Sequence, residues 1–345
     1  MEETNDNKHI TKSKFATAIV MMVIFVAFTI FAFVYYFGEP YTDFYKTAKQ
    51  EFEIVGLSDN LVPQSLCYFK DDANNIFLVG GYMSDGRASR VYVVDAKTYV
   101  TLKSFSLAYL DENDNIVDYV GHCGGIKTDG NGVWFCGESY VYYFKYEDII
   151  YVDDGGQIVA DSYFNAPNGA DFLTIYDNKL LVGEFHKDGK YDTSESHVIE
   201  TTNGTNHAVT FAYEIDNNSE YGLRNLNPVY AISTTSLVQG MAITDDSIIL
   251  STSYSLPSSN LYVYKNVLNS GLEPIKMTFE NVEEEVDTYI LDTPAKTIKA
   301  PCMSEEIAVK DDRLFILFEN ACNKYKYFTR DNFKTAYSIE LPTIE

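Results

Sequence analysis

Apolar and polar residues alternate along most of this chain in short runs, and one phrase returns five times: an alternating run, a polar turn of Asp, Asn and Gly, and a second run ending at a small or acidic residue. The phrases read SLCYFKDDANNIFLVGG from Ser65, CGGIKTDGNGVWFCGE from Cys123, GADFLTIYDNKLLVGE from Gly169, QGMAITDDSIILSTS from Gln239 and EEIAVKDDRLFILFE from Glu305. Period-two alternation rich in Val, Ile, Tyr and Phe is the signature of strands, and the turn residues between two such runs make each phrase a hairpin. A third run rich in Tyr and Val follows each hairpin, at Val91, Tyr140, Ala208, Asn260 and Lys324. Weaker outer runs follow at Tyr99, Gln157, Pro228, between Asp287 and Lys299, and at Thr335.

A small sheet cannot bury both of its faces alone, so units recurring every ~50–70 residues must stack on one another. The sequence therefore predicts an all-β fold, a five-bladed β-propeller. An open ring would expose an unpaired edge, and Glu51–Val55, EFEIV, has the alternation needed to join the last blade and close it. The alternative is a six-bladed ring whose extra blade comes from residues 41–60 and the acidic insert FENVEEEVD near Glu280.

The pattern is different before the repeats. Phe15 to Phe37 contains no charged residue, and at 1.5 Å per residue it would span ~34 Å, enough for a ~30 Å hydrocarbon layer. The run exceeds the ~7–15 apolar residues of an ordinary signal peptide and no Ala-x-Ala site follows, so it reads as an uncleaved signal-anchor. Lys8, Lys12 and Lys14 precede it, while Glu39 and Asp43 follow. That asymmetry predicts a single-pass protein of the cell membrane with a cytoplasmic N-terminus and an extracytoplasmic propeller. The expected plan is a tail over residues 1–14, a transmembrane helix over 15–37, a stem over 38–56 and the propeller over 57–345.

The formal charge of −24, with 26 Lys and Arg and no basic run, repels phosphate backbones, so no nucleic-acid partner is expected. Five cysteines fit an oxidising compartment. Cys302 and Cys322 lie symmetrically about the Asp311-Asp312 turn, and Cys123 and Cys136 flank the Asp129-Gly130 turn in the same way. Two hairpin-closing disulfides are expected, each worth about 3 kcal/mol, with Cys67 left buried and inert.

Propeller geometry converts these positions into a ring. The innermost strand of each blade lines the channel and its neighbour returns antiparallel, so the start of one and the end of the other share a mouth. First-strand starts give His122, Asn168, Gln239 and Glu305 as ligand-binding candidates, and second-strand ends give Gly81, Glu138, Glu184, Ser253 and Glu319. Glu138, Glu184, Glu305 and Glu319 are the metal-ligand candidates, because a hard cation such as Ca²⁺ takes 6–8 oxygen ligands. Glu305 is expected directly opposite Glu319, where like charges need a cation, a proton or a positive partner. The plainer reading is that rim carboxylates hydrate the mouth and accept from backbone donors. The insert from His186 to His207 holds three histidines, including His197, at spacings that match no zinc signature. DENDN at Asp111 begins like a calcium loop but lacks its Gly and distal Glu.

The hairpins with VYVVDAKTYVTLKSFSL at Val91 resemble repeats of the secreted YVTN and NHL type of β-propeller over roughly residues 60–342. That resemblance implies a fold and an extracytoplasmic habit, not an activity. A further resemblance, to propeller hydrolases of the gluconolactonase and paraoxonase type with an axial metal held by Glu and Asn, implies a lactone or ester hydrolase as the alternative to a module binding a small molecule, cation or protein. No Gly-x-Ser-x-Gly, His-Glu-x-x-His, phosphate-loop or dinucleotide motif is present.

Overall fold

The computed structural model describes residues 3–37 and 41–344. They divide after Thr42 into two compact units. The first contains one α-helix, Glu3–Phe37, of 35 residues. Its stretch Lys14–Val34, 21 residues, is long and apolar enough to cross a bilayer. A membrane anchor and a signal sequence share these properties. The polar residues before the apolar run continue the same helix. Residues 1, 2 and 38–40, the ends of the expected tail and stem, lie outside the described residues.

The second unit is a ring of five blades. Blade one runs outward through Leu61–Lys70, Asn75–Met83, Arg90–Asp95 and Thr101–Leu110. Blade two uses Gly125–Thr128, Gly132–Gly137, Tyr140–Lys145 and Ser162–Asn165. Blade three follows with Phe172–Tyr176, Lys179–Gly183, Ala208–Glu214 and Tyr230–Thr234. Blade four has Val238–Ile243, Ser247–Thr252, Ser259–Lys265 and Lys296–Ala300. Blade five has Ser304–Lys310, Arg313–Phe318 and Thr335–Glu340, and takes its outermost strand, Lys49–Glu53, from before blade one. That strand pairs antiparallel with Thr335–Glu340, Lys49 facing Ser338, and closes the ring much as the alternation of residues 51–55 predicts.

Three outer assignments differ from the sequence expectation. The Lys324 run forms turns, and the Thr335 run becomes the third strand of blade five because the fourth place is filled from the N-terminal side. The Gln157 run splits: Gly156–Val159 pairs parallel with the outer strand of blade one, and Ser162–Asn165 completes blade two. Val286–Ile290 adds in parallel to the outer strand of blade three, Ala231 facing Thr288, with Ile275–Met277 beyond it. Of the two segments proposed for a sixth blade, the first supplies the fourth strand of blade five, and FENVEEEVD is mostly turn, its last two residues entering Val286–Ile290 beside blade three.

Large side chains fill the spaces between blades. Phe77 of blade one packs at 5.0 Å from Phe52 and 4.8 Å from Phe315, both of blade five. Leu78, Val93 and Phe105 meet Ile126, Phe135 and Phe144 between blades one and two. Trp134, fully buried between blades two and three, donates its indole N–H to Tyr221 O at 2.9 Å. Near the axis the innermost strands approach too closely for side chains: a Cβ on Gly124 would stand 2.0 Å from Asp171 O, and one on Gly240 2.7 Å from Glu306 Cα. Glycine is required at both positions by contact, not by turn geometry.

The expected disulfides do not form. All five cysteines are buried. Cys123 lies in the core between blades one and two and Cys136 in the core between blades two and three, because Gly124 and Gly125 both face Cys136 and this irregularity turns Cys123 to the other side. Cys322 joins the core between blades five and one. The Cys302 carbonyl accepts from Asn320 Nδ2 at 3.1 Å.

Candidate functional site

One cavity of about 940 Å³ opens at the end of the ring where the innermost strands begin. His122, Asn168, Gln239, Ser253 and Glu305 line it, and so do Glu138, Glu184 and Glu319. Contributions come from all five blades, because Gln64 and Tyr82 of blade one complete the wall.

Local backbone irregularities aim several of these side chains. The innermost strands of blades one, four and five each carry a β-bulge at their start, between Pro63 and Ser65, Val238 and Gly240, and Ser304 and Ile307. A bulged residue leaves the ladder and turns its side chain out of the pleat. Gln64, Gln239 and Glu305 are those residues. The bulge also changes one expectation: Ser304 pairs with Phe318 and Glu319 N donates to Met303 O, so the Glu319 backbone faces Met303 and not Glu305. On blade two, Glu138 and Ser139 form the turn between two strands with φ of 54° and 68°. Both sit in the left-handed region that Asn and Gly normally occupy in such a turn.

The carboxyl groups of the mouth have unequal partners. Both Glu184 oxygens are engaged: Oε1 accepts from His197 Nδ1 at 2.6 Å and Val209 N at 2.9 Å, and Oε2 from Gly169 N at 3.3 Å. Glu184 thus pins the insert to blade three. Asp171 Oδ2 accepts from Phe185 N at 2.7 Å, yet burial raises its carboxyl to about 7. Burial raises Glu319 to about 8 against the pull of the Lys324 ammonium. Glu305 is raised well above the ordinary range by burial, then by the charges of Glu319 and Glu306. His122 stacks on Tyr82 at 4.8 Å, and burial lowers its pKa. Asn168 gives its amide to Val182 O and Val209 O, leaving its own buried oxygen without a partner.

Below the mouth the channel is plugged. Lys127 of blade two reaches Glu306 of blade five at 3.2 Å, and burial, opposed by Lys127, lifts the Glu306 carboxyl to about 8. A smaller cavity of about 170 Å³ at the other end is lined by Cys67, Tyr68, Met241 and Ile307 among others.

Sequence reasoning missed several members of the mouth: Gln64, Tyr82, Asp171, Lys190, Tyr254 and Tyr325. Blade one has one more residue between its bulge and its turn than blades four and five, which hides Gln64 from alignment on the Asp pair. Of the three insert histidines, His186 and His207 stack at 4.6 Å while His197 goes to Glu184. Among the described residues, His186, Asp188 and His207 are the set whose potential metal-ligand atoms lie within 4.8 Å of one another. The four glutamates are not gathered that closely, so the axial arrangement expected of a metal-dependent hydrolase gains no support.

No known family model and no curated protein matches the sequence. Among solved structures, the computationally designed Ika8 protein is similar at 11% identity and a TM-score of 0.29, covering 81% of this chain and 70% of its own. BamB from Moraxella catarrhalis is similar at 7% identity and a TM-score of 0.33, covering 82% and 84%. Likeness at this level decides nothing about the site, and the five-bladed ring stands on its own strand pairing.

Proposed function

We propose that this chain is a membrane-anchored, extracytoplasmic binding propeller whose mouth takes a cationic ligand, either a hard ion such as Ca²⁺ or the positive group of a small molecule or protein partner. The observation that carries the reading is the pair Glu305 and Glu319, two buried carboxyls that line the mouth, the charge of Glu319 disfavouring ionisation of Glu305. A cation entering between them would replace the proton each now retains. Gln239, Ser253 and the unpartnered oxygen of Asn168 supply neutral oxygens around them. Tyr82, Tyr191, Tyr254 and Tyr325 give the wall aromatic faces suited to an organic cation.

The uncharged run from Phe15 to Phe37 and the lysines before it support the address. A phosphatase fused after the last residue should be active outside the membrane, and activity of a cytoplasmic reporter there instead would overturn that part. For the ligand, thermal unfolding of the detergent-solubilised chain should rise with Ca²⁺ or with organic ammonium ions and not with carboxylates of similar size. Stabilisation by anions alone would refute a cationic ligand.

A further inference from the structure

Outside the mouth, the base of the insert gathers two imidazoles and a carboxylate. The Thr193 hydroxyl has one proton and donates it to His207 O. Its oxygen therefore accepts from His186 Nδ1, 3.0 Å away, which orients the ring. The other ring nitrogen, Nε2, faces Asp188 Oδ1 at 2.9 Å. The His207 ring lies parallel to the first at 4.6 Å and 11°.

The geometry points to a binding site for a divalent transition-metal ion, Zn²⁺ in type, formed by His186, Asp188 and His207. Two imidazole nitrogens and one carboxylate oxygen suit Zn²⁺ and exclude a preference for Ca²⁺ or Mg²⁺. With metal–ligand bonds of ~2.0–2.1 Å, the 2.9 Å pair would subtend about 90° at the ion. The third ligand atom, on His207, lies within 4.8 Å, and because the two rings stack in parallel the His207 ring must rotate out of the stack to aim its nitrogen at the ion. The bond from His186 Nδ1 to Thr193 is the outer contact that orients a metal-bound imidazole. His186 is 4% exposed and held by the fold, whereas Asp188 is open to solvent, so the ion has a fixed anchor and an entry route.

The site would also act on the mouth. Asp188 belongs to the turn in which Lys187 pairs with Tyr191, and Lys190 to Ser194 line the large cavity. Metal bound at Asp188 and His207 ties that turn to the point where the insert re-enters blade three.

The test is titration of Zn²⁺ into the metal-free full chain, purified in detergent without a histidine tag, against a chromophoric chelator. One equivalent should bind, Asp188→Asn and His207→Gln should each weaken it at least tenfold, and Ca²⁺ should not compete. Asp188 is exposed, and an unchanged metal-free unfolding temperature in Asp188→Asn shows that the fold is intact. Zn²⁺ should slow tryptic cleavage after Lys187 and Lys190 in the parent chain and not in Asp188→Asn. Glu319→Gln should leave Zn²⁺ binding unchanged, which separates this site from the mouth. Absence of stoichiometric binding, or equal binding by parent and both variants, overturns the proposal.

Discussion

Lys127 Nζ lies 3.2 Å from Glu306 Oε2 and donates to Leu66 O at 2.6 Å, so one side chain joins the innermost strands of blades two, five and one across the channel. The pair is buried almost completely. Above about pH 8, where Glu306 is ionised, removing one member leaves the other without a counter-charge in an almost fully buried place. Lys127→Met should therefore cost about 3 kcal/mol in urea unfolding, while adding Glu306→Gln should recover most of the loss. Equal stability of Lys127→Met and the parent chain would show that the ring does not depend on this contact.

Stability should depend on pH in a direction set by the raised carboxyls. Glu306 and Glu319 move from an ordinary 4.5 to about 8, and Asp171 from 3.8 to about 7. Between those limits the native chain holds protons that the unfolded chain has released, so stability falls as pH rises from about 5 to about 8 and then levels. Metal-free thermal unfolding across that range should show the decline, and Glu319→Gln should flatten it. A rise over the same interval would contradict these assignments.

The thiols should be inert. Burial pushes Cys123 up to about 12 and Cys322 up to about 11, and raises Cys67 and Cys136 as well. Reductant should not change the unfolding temperature, and all five thiols should react with an alkylating reagent only after denaturation. Loss of stability on reduction would restore the disulfides that turn symmetry suggests.

The strained turn at the mouth should be improvable. Glu138→Asn combined with Ser139→Gly places the residues that a positive-φ hairpin favours and should add about 1 kcal/mol, read by the urea midpoint. A neutral or destabilising result would mean that Glu138 makes a compensating contact through its carboxylate.

Much of this was legible in the sequence because the blade is a repeated local pattern. The Asp-rich turns located the inner hairpins, and the alternation of EFEIV located the closing strand. The outer strands were harder: Gly156–Val159 and Val286–Ile290 leave their own blades to pair in parallel with a neighbour, a choice decided by edge availability and not by composition. Side-chain direction was the other limit. Symmetry about a turn placed Cys123 near Cys136 but said nothing of which sheet face each occupied, and the position of a bulge, which brings Gln64 into the mouth, has no signature in its residue types. The ring of rim positions was readable because rotation about the axis relates equivalent residues. Their partners, such as His197 for Glu184, come from an insert without a counterpart in the other blades.

Glu305 and Glu319 are the core of the proposed cation site. Calorimetric titration of Ca²⁺ into the metal-free full chain at pH 8.5, above the range in which Glu319 holds its proton, tests it in the parent and in Glu319→Gln. One ion should bind the parent, with at least tenfold weaker binding and no Ca²⁺-dependent rise in unfolding temperature in the variant. Identical binding by the two chains, or no binding by either, would contradict a calcium site at this pair.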